Sequence, residues 1–305
     1  MHKVGCALSV GWCVIGGMAI GMDRPGIDGL GDVVRVLREW QDDDAVVQLH
    51  PGDLGWYWRF GAEQTAAATR TWSRDGEIVA IGMLDDPELL RLAIAPEVQR
   101  DEELAHQVAE DVSAPERGVL IEGKVYVEAP MGALIRELLI KDDWEIDEPW
   151  TPLRRELAEP VPDPGLRIEV AGPEQAAERT AIQRASFDGS TFTDERWHAM
   201  AAGVAYDDAR CLIGRNAQGE AVAGVTVWSA GPGKPGLIEP MGVHRAQRGH
   251  GYGTAITVAA ARALQELGSS SAVVCTPSFN VGAVATYKAA GFEPLPETRD
   301  VYRKA

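Results

Sequence analysis

Residues 247–264 read QRGHGYGTAITVAAARAL, a glycine-rich turn that opens an alanine-rich helix predicted to end near Gly268. The apolar residues up to Val243 predict a strand before the turn. Glycines let the backbone of such a turn approach a ligand, and a helix N-terminus directs free N–H groups at the same point. This pattern is typical of a pyrophosphate site, although the glycines alone fit a flexible loop equally well.

Basic side chains on the turn favour an anion site. Arg245, Arg248, His244 and His250 all lie on it. The turn is not a Walker A loop, because no Lys-Ser or Lys-Thr pair follows the last glycine. It also lacks, in the right context, the acidic residue that a dinucleotide-binding fold carries about 20 positions later.

The turn belongs to the second of two similar halves. A strand end at Ile94 corresponds to the one at Val243, 149 residues further on, and Trp144 corresponds to Phe292 at a spacing of 148 residues. Strand and helix signals occur in the same order in both halves. A nearly constant spacing over this length predicts a duplicated α/β unit.

A proline-rich seam separates the two halves. Residues 159–165 read EPVPDPG, and three prolines with a glycine predict an extended linker. We therefore expect a first domain at residues 23–158 and a second domain at residues 166–305. Each domain should contain one copy of the α/β unit.

Residues 1–22 are interpreted as an N-terminal extension, because residues 4–22 are apolar and glycine-rich. Three interpretations stay open: an appendage upstream of a true start near Met22, a membrane anchor, or a cleaved signal peptide. The appendage is favoured because the anionic ligand expected at the turn is cytosolic. The segment is left out of the fold prediction.

Composition limits the functional classes further. The 305 residues are 45% hydrophobic and 25% charged, which is the balance of a soluble globular protein. A net charge of −17 repels polyphosphate, so we expect no nucleic acid partner. The four cysteines show no CxxC or Cys/His pairing, so we expect neither a metal nor a disulfide framework, and we expect a reducing, cytoplasmic location.

The negative charge is concentrated in the first half. Residues 1–160 carry 15 basic and 31 acidic side chains, whereas residues 161–305 carry 14 and 15. A nearly neutral second half tolerates an anionic cofactor, and an acidic first half attracts a cation. This asymmetry favours a cationic substrate.

Two signatures in the second half resemble those of the GNAT acetyltransferase superfamily. The turn is similar to the family's motif A, Q/R-x-x-G-x-G/A, whose specified positions are held by Arg248, Gly251 and Gly253. The family's second pattern, N-x-x-A-x-x-x-Y-x-x-x-G-F, is matched by Asn280, Ala283, Tyr287, Gly291 and Phe292. Two motifs in the family's order are more specific than either motif alone.

The resemblance covers residues 165–305 directly and residues 32–158 through the internal repeat. It implies an α/β fold of two tandem GNAT-like domains, each a twisted mixed β-sheet flanked by helices. The first domain departs from the motif, because Asp101 and Glu102 stand where the second has its glycines. Carboxylates repel a pyrophosphate. The first domain is therefore interpreted as degenerate, with a structural role or as a wall of the substrate site.

The resemblance also implies that the second domain binds acetyl-CoA as a cosubstrate, without a metal. The residues implied to bind it are Met241, Gly242, Val243, Arg248, Gly249, His250, Gly251, Tyr252, Gly253, Thr254 and Asn280. The helix N-terminus is expected to hold the pyrophosphate, the strand backbone to pair with the pantetheine arm, and a strand N–H to bind the thioester carbonyl. Asn280 has a second interpretation as the cap of the helix that follows it.

Two side chains are implied to be catalytic. Glu239 is the candidate base, because an alkylammonium with a pKa near ~10 must lose a proton before it attacks. The alternative is a solvated strand-end carboxylate that only attracts a cation. Tyr287 is the candidate acid that protonates the leaving thiolate. Its alternative is a packed tyrosine whose hydroxyl bonds a carbonyl.

The prediction is therefore an acetyl-CoA-dependent N-acetyltransferase. Its acceptor is a primary amine of a small, cationic or peptidic molecule, and the amine attacks the thioester directly in a ternary complex. The alternative is a non-catalytic acyl-CoA-binding protein with a regulatory or partner-recognition role. Glu195, Trp197 and His198 lie on a helix that borders the acceptor in the family, so they are candidate substrate contacts. The aromatic run at residues 56–60 fits domain packing or a substrate wall. A membrane partner is not expected, and the oligomeric state stays open.

Overall fold

The computed structural model of the protein describes residues 20–45 and 48–305. Nine α-helices lie within these residues: α1 (Leu30–Trp40), α2 (Pro51–Tyr57), α3 (Ala62–Ala68), α4 (Glu102–Ser113), α5 (Leu134–Lys141), α6 (Ala176–Ser186), α7 (Asp194–Ala201), α8 (Tyr252–Glu266) and α9 (Val281–Ala289). Short 3-10 turns occur at Ile27–Gly29, Trp58–Phe60, Pro96–Val98, Pro115–Arg117, Pro173–Gln175, Tyr206–Asp208 and Arg245–Gln247.

The same part of the chain forms 13 β-strands: β1 (Gly21–Asp23), β2 (Thr69–Arg74), β3 (Glu77–Asp86), β4 (Leu89–Ile94), β5 (Val125–Glu128), β6 (Glu145–Glu156), β7 (Arg167–Val170), β8 (Ala209–Arg215), β9 (Ala221–Ser229), β10 (Gly236–Val243), β11 (Ser271–Pro277), β12 (Glu293–Pro294) and β13 (Thr298–Arg303). They join one mixed sheet in the order β1-β2-β3-β4-β5-β13-β6-β11-β10-β9-β8-β7, and β12 pairs with β6.

The sheet contains two α/β units of the same design, so the predicted fold class is confirmed. In the first unit β2, β3 and β4 are antiparallel and β5 runs parallel to β4. In the second unit β8, β9 and β10 are antiparallel and β11 runs parallel to β10. A helix, α4 or α8, connects each parallel pair. The exact domain boundaries at residues 23–158 and 166–305 stay predictions.

The two units exchange strands. β13, the last strand of the chain, lies between β5 and β6 in the sheet of the first unit. The later part of β6 pairs with β11 and β12 of the second unit. β6 is long enough to serve both units, because it has 12 residues where a strand averages about six. Each unit is therefore completed by a strand that belongs to the other half of the sequence.

The described structure begins inside the predicted N-terminal extension. Gly21, Met22 and Asp23 form β1 and pair with Ser73, Trp72 and Thr71 of β2. Gly21 and Met22, the last residues of the predicted extension, are therefore part of the fold and belong to an edge strand. The interpretations of residues 1–19 lie outside the described residues. No helix in residues 20–45 and 48–305 has the length and apolarity that crossing a bilayer requires.

Apolar side chains form a core in each unit and a third core between them. The core of the second unit contains the alanine-rich face of α8 packed on β9 and β10, because alanine lets a helix approach a sheet closely. The shared core joins Leu37 and Leu54 of the first unit to Trp197 and Trp228 of the second. Burial of each large side chain contributes roughly 1.5–3 kcal/mol, so the two units stabilise each other.

Candidate active site

A cleft opens between β10 and β11 because the two strands pair only at their starts. The only residue pairs between them in the described chain are Gly236–Ala272 and Leu237–Val273. On its other side β10 stays paired with β9, with a bulge after Ile238. A bulge bends a strand and redirects its side chains. β10 and β11 therefore diverge after Leu237.

One edge of β10 is left open toward this cleft. Met241, Gly242 and Val243 pair with β9 through the opposite edge. Their cleft edge pairs with no strand among the described residues. Backbone N–H and C=O groups need hydrogen-bond partners. The open edge therefore fits the predicted pairing with an extended pantetheine arm.

The glycine-rich turn presents backbone donors to open space. Gly249 and Gly251 have φ values of 82° and 81°, in the left-handed region that favours glycine. A Cβ built on either residue meets no described atom within 4 Å. Gly251 is the N-cap of α8 and provides no side-chain acceptor, so the N–H groups of Tyr252, Gly253 and Thr254 are uncapped. The arrangement can bind an anion.

The basic side chains of the turn contact protein carbonyls. Arg248 Nη2 donates to Ser186 O at 2.7 Å, and Arg245 donates to two other carbonyls at the end of α6. These bonds hold α6 against the turn, and a carbonyl partner leaves the charge of Arg248 available to the nearby anion site. The ring of His250 stacks on that of Tyr252 with centroids 5.8 Å apart.

A cavity of about 520 Å³ fills the cleft and extends between the two units. Four of the predicted site residues line it: Glu239, Met241, Asn280 and Tyr287. The other predicted binding residues lie on the turn and on the strand beyond the cavity. The first unit contributes the charged residues Asp42, Asp43, Asp53, Asp85, Arg91, Glu128 and Arg154. With Glu239, Asp300 and Arg299 of the second unit, seven carboxyl groups face three arginines, which favours a cationic ligand.

Glu239 lies at the bulge of β10 and faces the cavity. Trp228 Nε1 donates to its carbonyl oxygen at 2.7 Å, which holds the bulge in place. Burial raises the pKa of the Glu239 carboxyl to about 8. The carboxylate of Asp53 raises this pKa further, Arg91 lowers it, and Asp85 raises it. A carboxyl group with this pKa exchanges its proton near neutral pH, as a general base requires.

The first unit places a buried ion pair beside Glu239. Asp53 accepts a 2.6 Å hydrogen bond from His50 N and a 2.7 Å hydrogen bond from Arg91 Nη1. Arg91 also donates to both carboxylate oxygens of Glu128. The Asp53 side chain is only 1% exposed, so it needs these partners. The network fixes a carboxylate next to the candidate base.

Two glycines bring this network close to the second unit. Gly52 and Gly55 of α2 lie on the Trp228 side chain, and a Cβ at either position stands 2.5 Å or less from a Trp228 atom. Only glycine therefore allows α2 to pack there. Because Trp228 also bonds the Glu239 carbonyl, the same side chain positions both Asp53 and Glu239.

His50 begins α2 as a neutral side chain. Its Nδ1 accepts a hydrogen bond from Gly52 N at 2.9 Å, which leaves Nε2 to donate to Pro235 O at 3.2 Å. Burial lowers the pKa of His50 to about 4. His50 therefore caps α2 and ties the first unit to the start of β10 without adding charge to the cavity.

Tyr287 faces the same cavity from α9. Burial raises the pKa of its hydroxyl to about 12, and Glu239 and Cys275 raise it further. None of the described residues forms a hydrogen bond with this hydroxyl, so it can meet a ligand in the cavity. Asn280 Oδ1 accepts from Ala283 N at 3.2 Å and caps α9. The cap fixes the helix that carries Tyr287.

The corresponding turn of the first unit is filled by its own side chains. Asp101 caps α4 by accepting from Leu104 N at 2.8 Å, and Arg74 donates to both Asp101 carboxylate oxygens. Hydrogen bonds from Arg74 lower the pKa of Asp101, which keeps it ionised. Leu134 N also donates to Gln99 O at 2.9 Å, which ties α5 to the turn. An internal carboxylate thus lies at this helix N-terminus.

The candidate acceptor contacts on α7 lie elsewhere. Trp197 is 1% exposed and belongs to the shared core. Glu195 and His198 line neither this cavity nor the smaller pocket beside it. Trp197 is therefore a core residue, and the expectation that Glu195 and His198 contact the acceptor stays a prediction. Phe187, the C-cap residue of α6, lines the cavity.

Sequence reasoning missed Asp53, Asp85 and Arg91. The sequence HPGD at residues 50–53 carries a helix-start signal, and the structure forms that helix start. That signal says nothing about which carboxyl group lies opposite. Only the packing of one unit on the other brings these residues to Glu239.

The second unit matches a known family. Residues 177–292 match the model of the acetyltransferase (GNAT) family. A search of curated proteins by sequence found no match. The glycine-rich turn, β10, Tyr287 and Asn280 all lie within the matched residues, which therefore form a GNAT acetyltransferase domain.

Solved structures of similar fold extend the comparison to the first unit. A GCN5-related N-acetyltransferase from Sphaerobacter thermophilus is 18% identical, with 93% of this chain and 95% of that chain covered and a TM-score of 0.55. A tandem GNAT protein from the clavulanic acid biosynthesis pathway is 15% identical, with 93% and 97% covered and a TM-score of 0.59. A GNAT-family acetyltransferase from Colwellia psychrerythraea is 15% identical, with 93% and 98% covered and a TM-score of 0.56. The two units together therefore have the tandem GNAT fold.

Proposed function

Starting from the acetyltransferase (GNAT) domain at residues 177–292, we propose that the protein is an acetyl-CoA-dependent N-acetyltransferase. Its acceptor is a primary amine of a small, cationic or peptidic molecule, and the amine attacks directly with both substrates bound. The proposal rests chiefly on Glu239, a carboxyl group with a pKa of about 8 that shares a cavity with Tyr287 beside the open edge of β10.

Three features support acetyl-CoA as the cosubstrate. The uncapped N-terminus of α8, with Arg248, Gly249, His250, Gly251, Tyr252, Gly253 and Thr254 around it, is suited to the pyrophosphate. The open edge of Met241–Val243 is suited to the pantetheine arm. Asn280 lines the cavity between them. When bound, acetyl-CoA supplies the activated acetyl group.

The proposed reaction joins the amine nitrogen to the acetyl carbon and breaks the carbon–sulfur bond. An ammonium ion first gives one proton to the Glu239 carboxylate, and Glu239 releases it to solvent. A backbone N–H of Met241 or Gly242 binds the carbonyl oxygen as negative charge develops. The Tyr287 hydroxyl delivers a proton to the departing sulfur. The nitrogen loses its second proton as the amide forms, and this proton restores the Tyr287 hydroxyl. The net reaction releases one proton.

The charge of the acceptor assists its own deprotonation. At neutral pH a carboxyl with a pKa of about 8 is mostly protonated. An approaching ammonium ion favours the carboxylate form, and so does Arg91. The excess of carboxyl groups in the cavity attracts such a cation. The base and the acceptor therefore carry opposite charges, and each favours the charged form of the other.

We assign the first unit a degenerate cofactor turn and a role as one wall of the acceptor site. Asp101 and Arg74 already satisfy the N-terminus of α4, where an anion would bind. Asp53, Asp85 and Arg91 of this unit line the cavity at Glu239. The first domain is placed at residues 23–158, the linker at 159–165 and the second domain at 166–305. A cytoplasmic location, where acetyl-CoA is available, goes with this function.

Thiol release from acetyl-CoA with a panel of primary amines tests the proposal. The panel spans diamines, neutral amines, amino acids and short peptides. We expect amine-dependent thiol release by the wild type and a rate at least 100-fold lower for Glu239→Gln. Saturable binding of acetyl-CoA with no thiol release for any amine contradicts the proposal and favours the non-catalytic acyl-CoA-binding alternative.

A further inference from the structure

A second pocket, of about 260 Å³, lies beside the active-site cavity. One wall is the aromatic run after α2, with Trp56, Arg59 and Phe60, and the other is the loop between α6 and α7 with Arg196. Phe187 lines both the pocket and the cavity. The two spaces are therefore neighbours that share one aromatic side chain.

Phe187 also fixes how close the pocket is to the proposed reaction. A Cβ built on Gly242 stands only 2.9 Å from Phe187 Cε2, so the ring lies directly on β10. The N–H groups of Met241 and Gly242 are the proposed donors to the thioester carbonyl. The pocket therefore adjoins the part of β10 that carries the proposed donors.

Two arginines give the pocket its charge. Arg59 lies between Trp56 and Phe60, with its guanidinium carbon 4.3 Å from each ring centroid. Arg196 lies over Phe60 at 5.0 Å. Arg59 donates to Trp56 O at 2.8 Å and Arg196 to Thr191 O at 2.9 Å. Neither arginine pairs with a carboxylate of residues 20–45 or 48–305.

The one carboxylate in the lining of this pocket is already engaged. Asp188 pairs with Arg245 at 3.0 Å, and its side chain is 93% exposed. Burial lowers the pKa of Arg59, Asp85 and Glu239 raise it, and Arg196 lowers it further. Two neighbouring guanidinium groups without an anion are unfavourable, and a bound anion relieves their repulsion.

We propose that Arg59 and Arg196 bind a carboxylate of the acceptor while its amine lies at Glu239. The guanidinium fork matches a carboxylate with two parallel hydrogen bonds, and the aromatic rings hold Arg59 in a fixed position. The inference rests on the proposed acetyl transfer and narrows its acceptor to amino acids and compounds with a similar amine-to-carboxylate spacing. Glu239 then binds the amine of the acceptor, and the two arginines bind the carboxylate of the same molecule.

Acceptors that differ only in the carboxylate measure the contribution of the carboxylate to binding separately from that of the amine. A series of ω-amino acids of increasing chain length is compared with the corresponding carboxamides and aminoalkyl phosphonates as acceptors. At the best chain length we expect a KM for the amino acid roughly 10- to 100-fold lower than for its carboxamide, because a charged hydrogen-bonded pair is lost. Arg196→Gln should remove this difference in KM.

Arg35→Gln is the matched control, because Arg35 is exposed on α1 and, among the described residues, its ion pairs are with Asp32 and Glu39. Arg59→Gln is the second variant, and its folding is checked by thermal unfolding because Arg59 packs between two rings. Equal KM values for every amino acid and its carboxamide overturn the carboxylate site while acetyl transfer stands. A lower KM for the phosphonate also overturns it, in favour of a phosphate-class anion.

A separate measurement covers the case in which no acceptor reacts, which would contradict the proposed function itself. Binding of the amino acids to the protein saturated with CoA is then measured by calorimetry. Binding that Arg196→Gln abolishes and Arg35→Gln keeps supports the carboxylate site. Absence of binding, or binding that persists in Arg196→Gln, overturns it.

Discussion

Arg91 donates a 2.7 Å hydrogen bond to the Asp53 carboxylate, and this ion pair of the first unit lies beside Glu239 of the second. The effects of the two partners on Glu239 do not cancel. Asp53 raises the pKa of Glu239 more than Arg91 lowers it. The charges of the first unit therefore add to the effect of burial on the protonation of a group that belongs to the second.

Asp53→Asn should shift the pH dependence of acetyl transfer. Without the Asp53 charge the pKa of Glu239 falls, and Arg91 becomes free to act on Glu239. The acid limb of kcat/KM against pH should then move to lower pH by about one unit. The unfolding free energy should fall by about 1–3 kcal/mol, because a buried hydrogen-bonded partner is lost.

Asp32→Asn is the control for this shift, because Asp32 lies exposed on α1 and its one side-chain partner within residues 20–45 and 48–305 is Arg35. It should change neither the pH profile nor the KM for the amine. If Asp53→Asn lowers activity at every pH and the acid limb does not move, Asp53 does not control the pKa of Glu239. The residue would then serve folding alone.

Glu239 should make the stability of the protein depend on pH. Its folded pKa of about 8 lies above the ordinary value of 4.5, because burial disfavours the charged form. The folded state therefore binds this proton more tightly than the unfolded chain. The stabilisation is fully present below pH 4.5 and is lost as the pH rises through about 8.

Denaturant unfolding of the wild type and of Glu239→Gln at intervals from pH 5 to 9 measures this effect. The stability of the wild type relative to the variant should decline from pH 5 to about pH 8 and level off above it. The amide cannot ionise, so the variant isolates the contribution of this one group from those of other titrating residues. A constant difference between the two proteins contradicts the raised pKa.

Tyr287→Phe should lower kcat by roughly 10- to 100-fold and leave the Kd of acetyl-CoA unchanged, because only the hydroxyl is lost. Tyr302→Phe is the matched control. The Tyr302 hydroxyl bonds Glu145 outside the cavity, so its removal should not affect turnover. Steady-state kinetics and calorimetric binding separate the two effects. Equal losses in both variants contradict an acid role for Tyr287.

Features that depend on local sequence could be predicted, and features that depend on packing between the units could not. The turn at Gly249 and Gly251 and the cap at Asn280 follow from glycine conformations and from a side chain three residues before its partner. The exchange of β6 and β13 leaves no local signal, because the sequence of a strand does not specify which strand it pairs with. The cluster around Glu239 depends on that exchange and on the close approach of α2.

The two units should differ in cofactor binding, with one coenzyme A bound per chain. At the first unit the carboxylate of Asp101 holds the helix N-terminus and Arg74 holds the carboxylate. Calorimetric titration with coenzyme A should give a stoichiometry near one. Asp101→Asn should destabilise α4 without changing that affinity. A stoichiometry of two contradicts the degenerate first turn.

Gly251→Ala should weaken the binding of coenzyme A, and Gly76→Ala is the control for the backbone strain that alanine introduces. Gly251 has φ 81° and Gly76, in the hairpin between β2 and β3, has φ 83°, and a Cβ at either position meets no described atom within 4 Å. Alanine therefore costs both sites a similar amount of backbone strain, about 1–2 kcal/mol. Only at Gly251 does the new Cβ enter the space proposed for the pyrophosphate.

Thermal unfolding should show comparable losses of stability for Gly251→Ala and Gly76→Ala. The Kd of coenzyme A should rise at least tenfold for Gly251→Ala and stay at the wild-type value for Gly76→Ala. The comparison removes strain as an explanation, because both variants carry it. If the two variants bind coenzyme A equally well, the anion does not lie against Gly251, and the N-terminus of α8 is not its site.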